Sequence, residues 1–296
     1  MPQFYSNGKL LITGEYTVLD GALALAVPTK FGQELRVEPV AETSFSEKNE
    51  VWFEAHFNFE NGQWTSTDEN QIAITLIKIL NAITFLNPQF FETENGFIIE
   101  SQLNFNRHWG LGSSSTLINN LANWAQVDAY KLLDKTFGGS GYDIACATHH
   151  TAITYQLRHQ ERMVKTVNFS PVFQDQLYFV YLNKKQNSRN AIAHYNSITK
   201  DKSESIKEIS DITTQLIDCA SAQDFDLLIE RHETILSELL NLPTIKQELF
   251  PDFTGSIKSL GAWGGDFTMV RTSENPTSYF KTKGFDTIIS FLEMVK

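Results

Sequence analysis

The stretch of sequence that decides the fold is Gly110-Leu111-Gly112-Ser113-Ser114-Ser115-Thr116. It leads directly into residues 116–125, where apolar side chains recur at the spacing of a helix. A glycine turn that runs through three serines into a helix leaves several backbone N–H groups pointing at one place, and the helix dipole adds positive potential there. A phosphate group suits such a place. Taken alone, the stretch fits equally well a serine-capped helix after a tight loop.

Two further glycine segments lie towards the two ends of the chain. The first is Gly8-Lys9-Leu10-Leu11-Ile12-Thr13-Gly14-Glu15-Tyr16, and the second is Lys258-Ser259-Leu260-Gly261-Ala262-Trp263-Gly264-Gly265-Asp266. Either one alone is compatible with an ordinary turn, because glycine adopts positive φ and permits close approach of the backbone. In this order, and with the serine-rich stretch between them, the three segments indicate phosphate chemistry.

A fourth segment carries a candidate catalytic carboxylate. Asp143 follows Ser140-Gly141-Tyr142, at the predicted start of a helix over residues 142–148. An aspartate in the first turn of a helix commonly serves only to complement the helix dipole. The approach through Gly138-Gly139-Ser140-Gly141 favours instead a carboxylate that is exposed at a cleft.

These four segments, which together span nearly the whole chain, resemble the motifs of the GHMP superfamily of small-molecule kinases. The superfamily is named after galactokinase, homoserine kinase, mevalonate kinase and phosphomevalonate kinase, and the segments are most similar to those of the mevalonate kinase and phosphomevalonate kinase branch. The resemblance implies an α+β fold of two domains. The N-terminal domain is expected to resemble domain 2 of ribosomal protein S5, and the C-terminal domain to be ferredoxin-like.

The resemblance also implies an activity, the transfer of the γ-phosphoryl group of ATP to a small acceptor. A mevalonate-type acceptor is expected, with mevalonate kinase as the first hypothesis. The alternatives that stay open are phosphomevalonate kinase, a kinase of a sugar or of homoserine, and a catalytically inactive nucleotide-binding sensor.

By the same resemblance, Lys9 and Asp143 are the expected catalytic residues. Asp143 would accept or orient the proton of the attacking hydroxyl, and Lys9 would stabilise charge that develops on the transferring phosphoryl group. The nucleotide is expected to bind at Gly110, Leu111, Gly112, Ser113, Ser114, Ser115 and Thr116. The acceptor is expected to contact Glu15, Tyr16, Arg189, Gly264, Gly265 and Asp266. Arg189 is included because a planar guanidinium can bind carboxylate or phosphate through two bonds, although it also fits a solvated loop arginine.

Magnesium is expected with the ATP, because bridging cations neutralise the β- and γ-phosphates. The resemblance makes Ser114 a hydroxyl ligand. Mevalonate kinases carry a glutamate upstream of the catalytic aspartate, but no glutamate occurs between Thr116 and Asp143. Asp134 is therefore the first candidate for the second protein ligand, and Glu69 is a more remote one. Both also fit surface carboxylates.

The third glycine segment departs from the family pattern at Trp263, where glycine is usual. Tryptophan does not adopt positive φ without strain, so a reshaped turn is expected there. A tryptophan packed in the core and a tryptophan stacked on a ligand both fit the sequence.

Composition limits the class of protein. The chain has 296 residues, and 24 Lys+Arg against 35 Asp+Glu give a net charge of −11, which disfavours a general nucleic-acid surface. Its two cysteines give no disulfide framework, and His232-Glu233 lacks the second histidine of a helical zinc-protease motif. Neither a signal peptide nor a long apolar stretch is recognisable. We therefore expect a cytoplasmic enzyme with a small acidic substrate and no nucleic-acid or membrane partner; a homodimer is compatible with the sequence.

The pattern of apolar residues changes near the middle of the chain. Before that point we predict strands at residues 10–13, 22–27, 34–38 and 51–59, and a helix that contains residues 72–83. The signal lapses at residues 170–176. Beyond it we predict a strand at 177–182, helices at 203–220 and 225–240, and a closing strand-helix-strand pattern. The expected domains are therefore 1–172 and 173–296.

Overall fold

The computed structural model of the protein describes residues 2–39, 43–47, 54–92, 97–159 and 161–296. The elements up to residue 148 are β1 (Gln3–Thr13), a 3₁₀ helix (Thr17–Asp20), β2 (Ala24–Pro39), β3 (Thr43–Glu47), β4 (Glu54–Glu60), β5 (Gln63–Thr65), α1 (Gln71–Leu86), β6 (Phe97–Leu103), α2 (Ser113–Ala125), α3 (Ala129–Thr136) and α4 (Tyr142–Thr148).

The remaining elements begin with a hairpin and end in alternating short strands and helices. They are β7 (Ile153–Arg158), β8 (Glu161–Thr166), a 3₁₀ helix (Gln174–Gln176), β9 (Leu177–Tyr181), α5 (Ser188–Asn196), α6 (Ser203–Ile217), α7 (Ala222–Leu240), α8 (Ile245–Leu249), β10 (Ser256–Ser259), β11 (Phe267–Arg271), α9 (Thr277–Thr282), β12 (Ile288–Ser290) and α10 (Phe291–Met294).

The described residues form two compact units that interleave along the chain. The first unit comprises Met1–Gly8, Phe31–Asn106 and Gly112–Thr148, and the second comprises Lys9–Lys30, Arg107–Leu111 and His149–Lys296. Strands β1 and β2 therefore each begin in one unit and end in the other. The predicted division into domains 1–172 and 173–296 stays a prediction.

The first unit is built on a mixed sheet. Residues 33–39 of β2 pair antiparallel with β6, and β6 pairs parallel with β3. Strand β3 pairs antiparallel with β4, which pairs with β5. Helix α1 lies between β5 and β6 in the chain, and Asn70 caps its start by accepting the N–H groups of Ile72 and Ala73.

One apolar core joins the sheet and the helices of the first unit. It includes Leu35, Val37, Phe57, Ile99, Leu76, Ile79, Leu121, Leu133 and Ile144. In β4 the predicted alternation is confirmed, since Ala55 and Phe57 are buried whereas His56 and Asn58 are exposed. The part of that predicted strand at Val51 and Phe53 lies outside the described residues.

The second unit contains an antiparallel sheet in the order β10-β11-β9-β12. Residues 24–26 of β2 pair with β7, which forms a hairpin with β8. Helices α6 and α7 contribute buried apolar residues to one cluster, including Ile209, Ile212, Ile235, Leu236 and Leu239. Both helices and strand β9 occur close to the positions that the sequence predicts.

The strands predicted at residues 22–27 and 34–38 are parts of the single strand β2. Gly32 allows the strand to continue, because a Cβ atom there would lie 2.4 Å from the carbonyl oxygen of Ser6. Its N–H donates to Oδ1 of Asn104 at 2.7 Å, and its carbonyl accepts the N–H of Asn104. The close approach of neighbouring backbone thus explains why residue 32 is glycine. The strand β2 is not interrupted there.

Candidate active site

The serine-rich stretch forms the start of helix α2 in the first unit. Gly112 is the N-cap residue with φ 89°, and no side chain caps this helix end. Ser114 is exposed, while Ser113 and Ser115 are half-buried. The helix begins at Ser113, earlier than the apolar pattern alone indicates. The first turn thus presents backbone N–H groups without a side-chain cap, which is the arrangement that binds phosphate.

Thr116 is directed into the first unit. Its side chain is 1% exposed, and its hydroxyl donates to Oε1 of Gln33 at 2.6 Å. Deeper in the same helix, Nδ2 of Asn120 donates to the carbonyl of Gln33 at 2.9 Å. These bonds fix α2 against β2. The hydroxyl of Thr116 is thus used within the first unit. A role for this residue in binding the nucleotide stays a prediction.

Asp143 lies in the first turn of α4, also in the first unit. Gly139 and Gly141, which precede it, have φ of 102° and 92°. These left-handed conformations favour glycine, so the approach to the helix depends on the residue types that the sequence shows there. Asp143 is half-buried. The predicted helix start is confirmed, and exposure of the Asp143 carboxylate at a cleft stays a prediction.

Lys9 belongs to the second unit, near the middle of β1. Its Nζ donates to the carbonyl of Gly110 at 3.2 Å, and its backbone N–H donates to the carbonyl of Leu111 at 3.0 Å. The first and middle glycine segments therefore meet through Lys9, by both its side chain and its main chain. Gly110 itself has φ 69°.

The third glycine segment contacts the middle segment at Gly110 through its residue Asp266. This residue is 8% exposed, and its Oδ1 accepts the N–H of Gln186 at 3.2 Å. Burial raises the pKa of the Asp266 carboxyl, while the charges of Lys9 and Lys185 oppose that rise. Gly265 is required by close approach, because a Cβ there would lie 2.7 Å from the carbonyl of Lys184.

Trp263 is a packing residue in this structure. It is 8% exposed, and its indole N–H donates to the carbonyl of Pro243 at 2.9 Å. Its backbone N–H donates to the hydroxyl of Tyr16 at 2.7 Å, and the ring of Tyr16 stacks on Tyr195 with centroids 5.7 Å apart. Trp263 is not among the residues with positive φ, so its backbone carries no left-handed strain; a reshaped turn stays a prediction.

Glu15 and Lys258 form an ion pair in the interior of the second unit. The Nζ atom of Lys258 lies 2.6 Å from Oε1 of Glu15, and the two side chains are 0% and 1% exposed. Glu233, on α7, lies 3.8 Å from the same ammonium and accepts the hydroxyl of Ser259 at 3.0 Å. Two carboxylates thus surround one ammonium group.

His232 completes this buried charge cluster, which we define as Glu15, His232, Glu233 and Lys258. Its Nε2 accepts the N–H of Gly14 at 3.2 Å, and burial lowers its pKa well below the usual range. The ring is therefore neutral, with its proton on Nδ1. Oε2 of Glu15 lies 3.4 Å from the unprotonated Nε2. Burial, against the opposing charge of Lys258, raises the pKa of Glu233 to about 7.

The positions of His232 and Glu233 in the sequence already indicate buried polar side chains, which the sequence-based prediction missed. His232 and Glu233 lie between Ile229 and Leu236 at the i, i+3, i+4, i+7 spacing of the buried face of α7. Charged or polar residues at such core positions require partners inside the protein. The ion pair with Glu15 had no local signal, since Lys258 stands 243 residues further along the chain.

Gly264 is half-buried, whereas three other candidate residues lie at exposed positions. Arg189 is exposed in the first turn of α5, and Asp134 and Glu69 are exposed in the first unit. Among the residues that the structure describes, no group of three or more His, Cys, Asp or Glu side chains could hold a metal ion. Metal binding by Ser114 and Asp134 therefore stays a prediction.

Solved structures of small-molecule kinases resemble this chain along nearly its whole length. The mevalonate kinase of Methanococcus jannaschii has a TM-score of 0.71 at 16% identity, with 97% of this chain and 96% of that chain covered. The phosphomevalonate kinase of Streptococcus pneumoniae, in complex with phosphomevalonate and AMPPNP, has a TM-score of 0.70 at 16% identity, with 96% of each chain covered. The galactokinase of Lactococcus lactis, complexed with galactose, has a TM-score of 0.69 at 12% identity, with 95% and 88% covered.

The fold is therefore that of the GHMP kinases, and the α+β class predicted from the glycine segments is confirmed. No protein-family model matches the sequence, and no curated protein matches it. Within the described ranges, no helix is both long enough and apolar enough to cross a membrane.

Proposed function

We propose that the protein is a cytoplasmic, ATP-dependent kinase that transfers a phosphoryl group to a small acidic acceptor. The observation that carries the proposal is the glycine loop that leads into the uncapped N-terminus of α2. Such an end offers N–H donors and positive potential to a phosphate. The GHMP kinase fold, which spans the chain, supports the same activity.

Nucleotide binding is assigned to residues 110–116. The chain enters this loop with its backbone tied to β1, because the N–H of Lys9 donates to the carbonyl of Leu111. It leaves the loop with Thr116 anchored on Gln33. A phosphate-binding loop needs such fixed ends, since preformed donors stabilise charge at little cost in reorganisation. The phosphomevalonate kinase of S. pneumoniae was solved with AMPPNP, which supports ATP as the donor.

Magnesium is proposed as the companion of ATP. Mg²⁺ binds oxygen ligands, and the hydroxyl oxygen of Ser114, an exposed residue at the start of α2, is the first proposed ligand. Asp134 is the proposed carboxylate ligand. When bound, the ion would neutralise charge on the β- and γ-phosphates.

Lys9 and Asp143 are the proposed catalytic pair. Asp143 would accept or orient the proton of the acceptor hydroxyl as its oxygen attacks phosphorus, and the bond from phosphorus to ADP breaks. Lys9 would stabilise the charge on the transferring group through its ammonium. Partial exposure of Asp143 at a glycine-rich approach supports the assignment.

A mevalonate-type acceptor is the first choice, and phosphomevalonate is the second. Arg189 is the proposed cation for the carboxylate or phosphate of the acceptor, since it is exposed at the start of α5. Contacts from the segments at Glu15, Tyr16, Gly264 and Gly265 remain part of the proposal. The side chain of Glu15 is occupied by Lys258, so any contact at this residue would come from its backbone.

The test is ADP formation in the presence of Mg²⁺ with a panel of acceptors. The panel contains mevalonate, 5-phosphomevalonate, homoserine, galactose and a heptose phosphate. Turnover with mevalonate supports the first choice, and turnover with another member assigns the acceptor instead. Binding of ATP without turnover of any acceptor would favour a nucleotide-binding sensor and would contradict the enzyme assignment.

A further inference from the structure

The carboxylate of Asp266 lies directly against Gly110. A Cβ atom placed on Gly110 would come within 2.3 Å of Cγ and 2.4 Å of Oδ2 of Asp266. A side chain at Gly110 would also be strained by the φ of 69°. Only glycine therefore fits beneath this carboxylate, and the third glycine segment is shaped to the backbone of the middle one.

Both the backbone and the side chain of Asp266 are fixed. Its N–H donates to the carbonyl of Lys184 at 2.8 Å, and its carbonyl accepts the N–H of Leu182 at 2.8 Å. Its Oδ1 accepts the N–H of Gln186 at 3.2 Å. The residue adopts φ 53°, an uncommon value for a residue other than glycine, and aspartate tolerates it better than most. Such a conformation is maintained only where the surroundings enforce it.

Gly110 is also the residue that Lys9 contacts. The ammonium of Lys9 donates to the carbonyl of Gly110, and its positive charge opposes the rise in the pKa of Asp266 that burial causes. The Asp266 carboxylate and the Lys9 ammonium thus both lie against the same loop residue, Gly110. One oxygen of the carboxylate already accepts the N–H of Gln186, so this side chain is poorly placed to bind the acceptor substrate.

We propose that Asp266 is a positioning residue that fixes the entry of the phosphate-binding loop at Gly110 and thereby orients Lys9. The proposal rests on the kinase function proposed above, and it replaces acceptor binding as the role of this side chain. Orientation matters because a displacement of about 1 Å at a reacting group can cost about 100-fold in rate.

The test compares Asp266→Asn, Lys9→Met and the double variant. Asparagine keeps the shape of aspartate and tolerates the left-handed backbone, so the substitution removes mainly the charge. We expect kcat to fall about 10- to 100-fold in Asp266→Asn, with the KM of the acceptor changed less than about threefold. In the Lys9→Met background, Asp266→Asn should reduce kcat little further, because the two residues act as one unit.

Two kinetic results would overturn the proposal. An increase in the KM of the acceptor at unchanged kcat would show that Asp266 binds the acceptor. Independent effects, in which the two losses multiply in the double variant, would show that Asp266 does not act through Lys9. Asp252→Asn serves as the control, since this carboxylate is exposed and pairs with Lys283 and Tyr279 in the second unit.

Hydrogen exchange provides a second readout that does not depend on activity. In Asp266→Asn, backbone amides of residues 107–112 should exchange about 10-fold faster at an unchanged melting temperature. Unchanged exchange of these amides would contradict the positioning role even if the variant had lost activity. If the wild-type protein turned over no acceptor, the proposed function would fail, while the exchange experiment would still decide whether Asp266 holds the loop.

Discussion

The ammonium of Lys258 lies 2.6 Å from Oε1 of Glu15, and both side chains are shielded from solvent. Lys258 is the first residue of the third glycine segment and Glu15 is the second-last residue of the first, so this ion pair joins two of the segments within the second unit. A second carboxylate, that of Glu233, lies 3.8 Å from the same ammonium. The cluster therefore combines a structural link with an excess of negative groups, and its response to substitution and pH can be predicted.

Lys258→Met should destabilise the protein by about 3–5 kcal/mol, because it leaves buried carboxylates without their cation. Adding Glu15→Gln to this variant should restore part of the loss, since the uncompensated charge is then removed. Urea unfolding followed by circular dichroism measures both effects. Lys246→Met is a matched control: its pair with Glu230 is exposed at 3.4 Å, and its loss should cost less than about 1 kcal/mol. If Lys258→Met were as stable as Lys246→Met, the buried ion pair would not be important for stability, contrary to this prediction.

Glu233→Gln should change the pH dependence of stability. The folded-state pKa of Glu233 is about 7 against an ordinary value of 4.5, so between these values the folded protein holds a proton that the unfolded chain releases. The contribution of Glu233 to stability therefore declines as pH rises through this range. His232 acts in the opposite direction below pH 6.5, because its lowered pKa keeps it neutral in the folded protein while the unfolded chain binds a proton.

The variant isolates the first of these effects. Relative to wild type, Glu233→Gln should gain stability from about pH 5 to about pH 8, by up to about 3 kcal/mol. Thermal melts of both proteins across this range provide the measurement. Glu238→Gln, an exposed position on the same helix, should show no such trend. A difference between Glu233→Gln and wild type that stays constant with pH would rule out titration of Glu233 near neutrality.

Gly112→Ala should weaken ATP binding, because the N-cap of α2 needs φ 89°. Forcing alanine into this conformation costs about 1–2 kcal/mol and shifts the first-turn N–H groups. We expect about a 10-fold loss of ATP affinity by calorimetry. Gly62→Ala is the control: its φ is 78° and nothing lies within 4 Å of an added Cβ, so it carries similar strain away from the loop. Equal losses of ATP affinity in the two variants would refute a specific role for the loop.

Lys9→Met should lower kcat by about 100- to 1000-fold, with smaller changes in the KM of ATP and of the acceptor. The reason is that the ammonium is proposed to interact most strongly with charge that develops in the transition state. Steady-state kinetics of the variant make the distinction. Lys165→Met, at an exposed position on β8, should behave like wild type. If the loss in Lys9→Met appeared only in KM, Lys9 would serve ground-state binding instead.

Local patterns in the sequence predicted much of the fold. Helices α1, α6 and α7 follow from apolar spacing, and the start of α4 follows from the glycines before Asp143. The glycine segments also marked residues that meet in space, since Lys9, Gly110 and Asp266 lie together. Their residue types reflect close backbone approach, which leaves a signature in the sequence.

Features that depend on distant residues were not predictable in this way. The continuity of β2 through Gly32 depends on the neighbouring strand residue Ser6. Lys258 lies on β10, and its partner Glu15 follows β1. No spacing rule relates residues so far apart in the chain. Packing of Trp263 was one of two alternatives from the sequence, and only its bonds to Pro243 and Tyr16 decide between them.

Phosphorus NMR of a single reaction follows phosphoryl transfer from ATP to a small acidic acceptor directly. With wild-type protein, Mg²⁺, ATP and mevalonate, we predict one new phosphate ester for each ADP formed, and none with Asp143→Asn, which should still bind ATP. Formation of ADP with free phosphate alone, or an equal yield of ester from Asp143→Asn, would contradict the account.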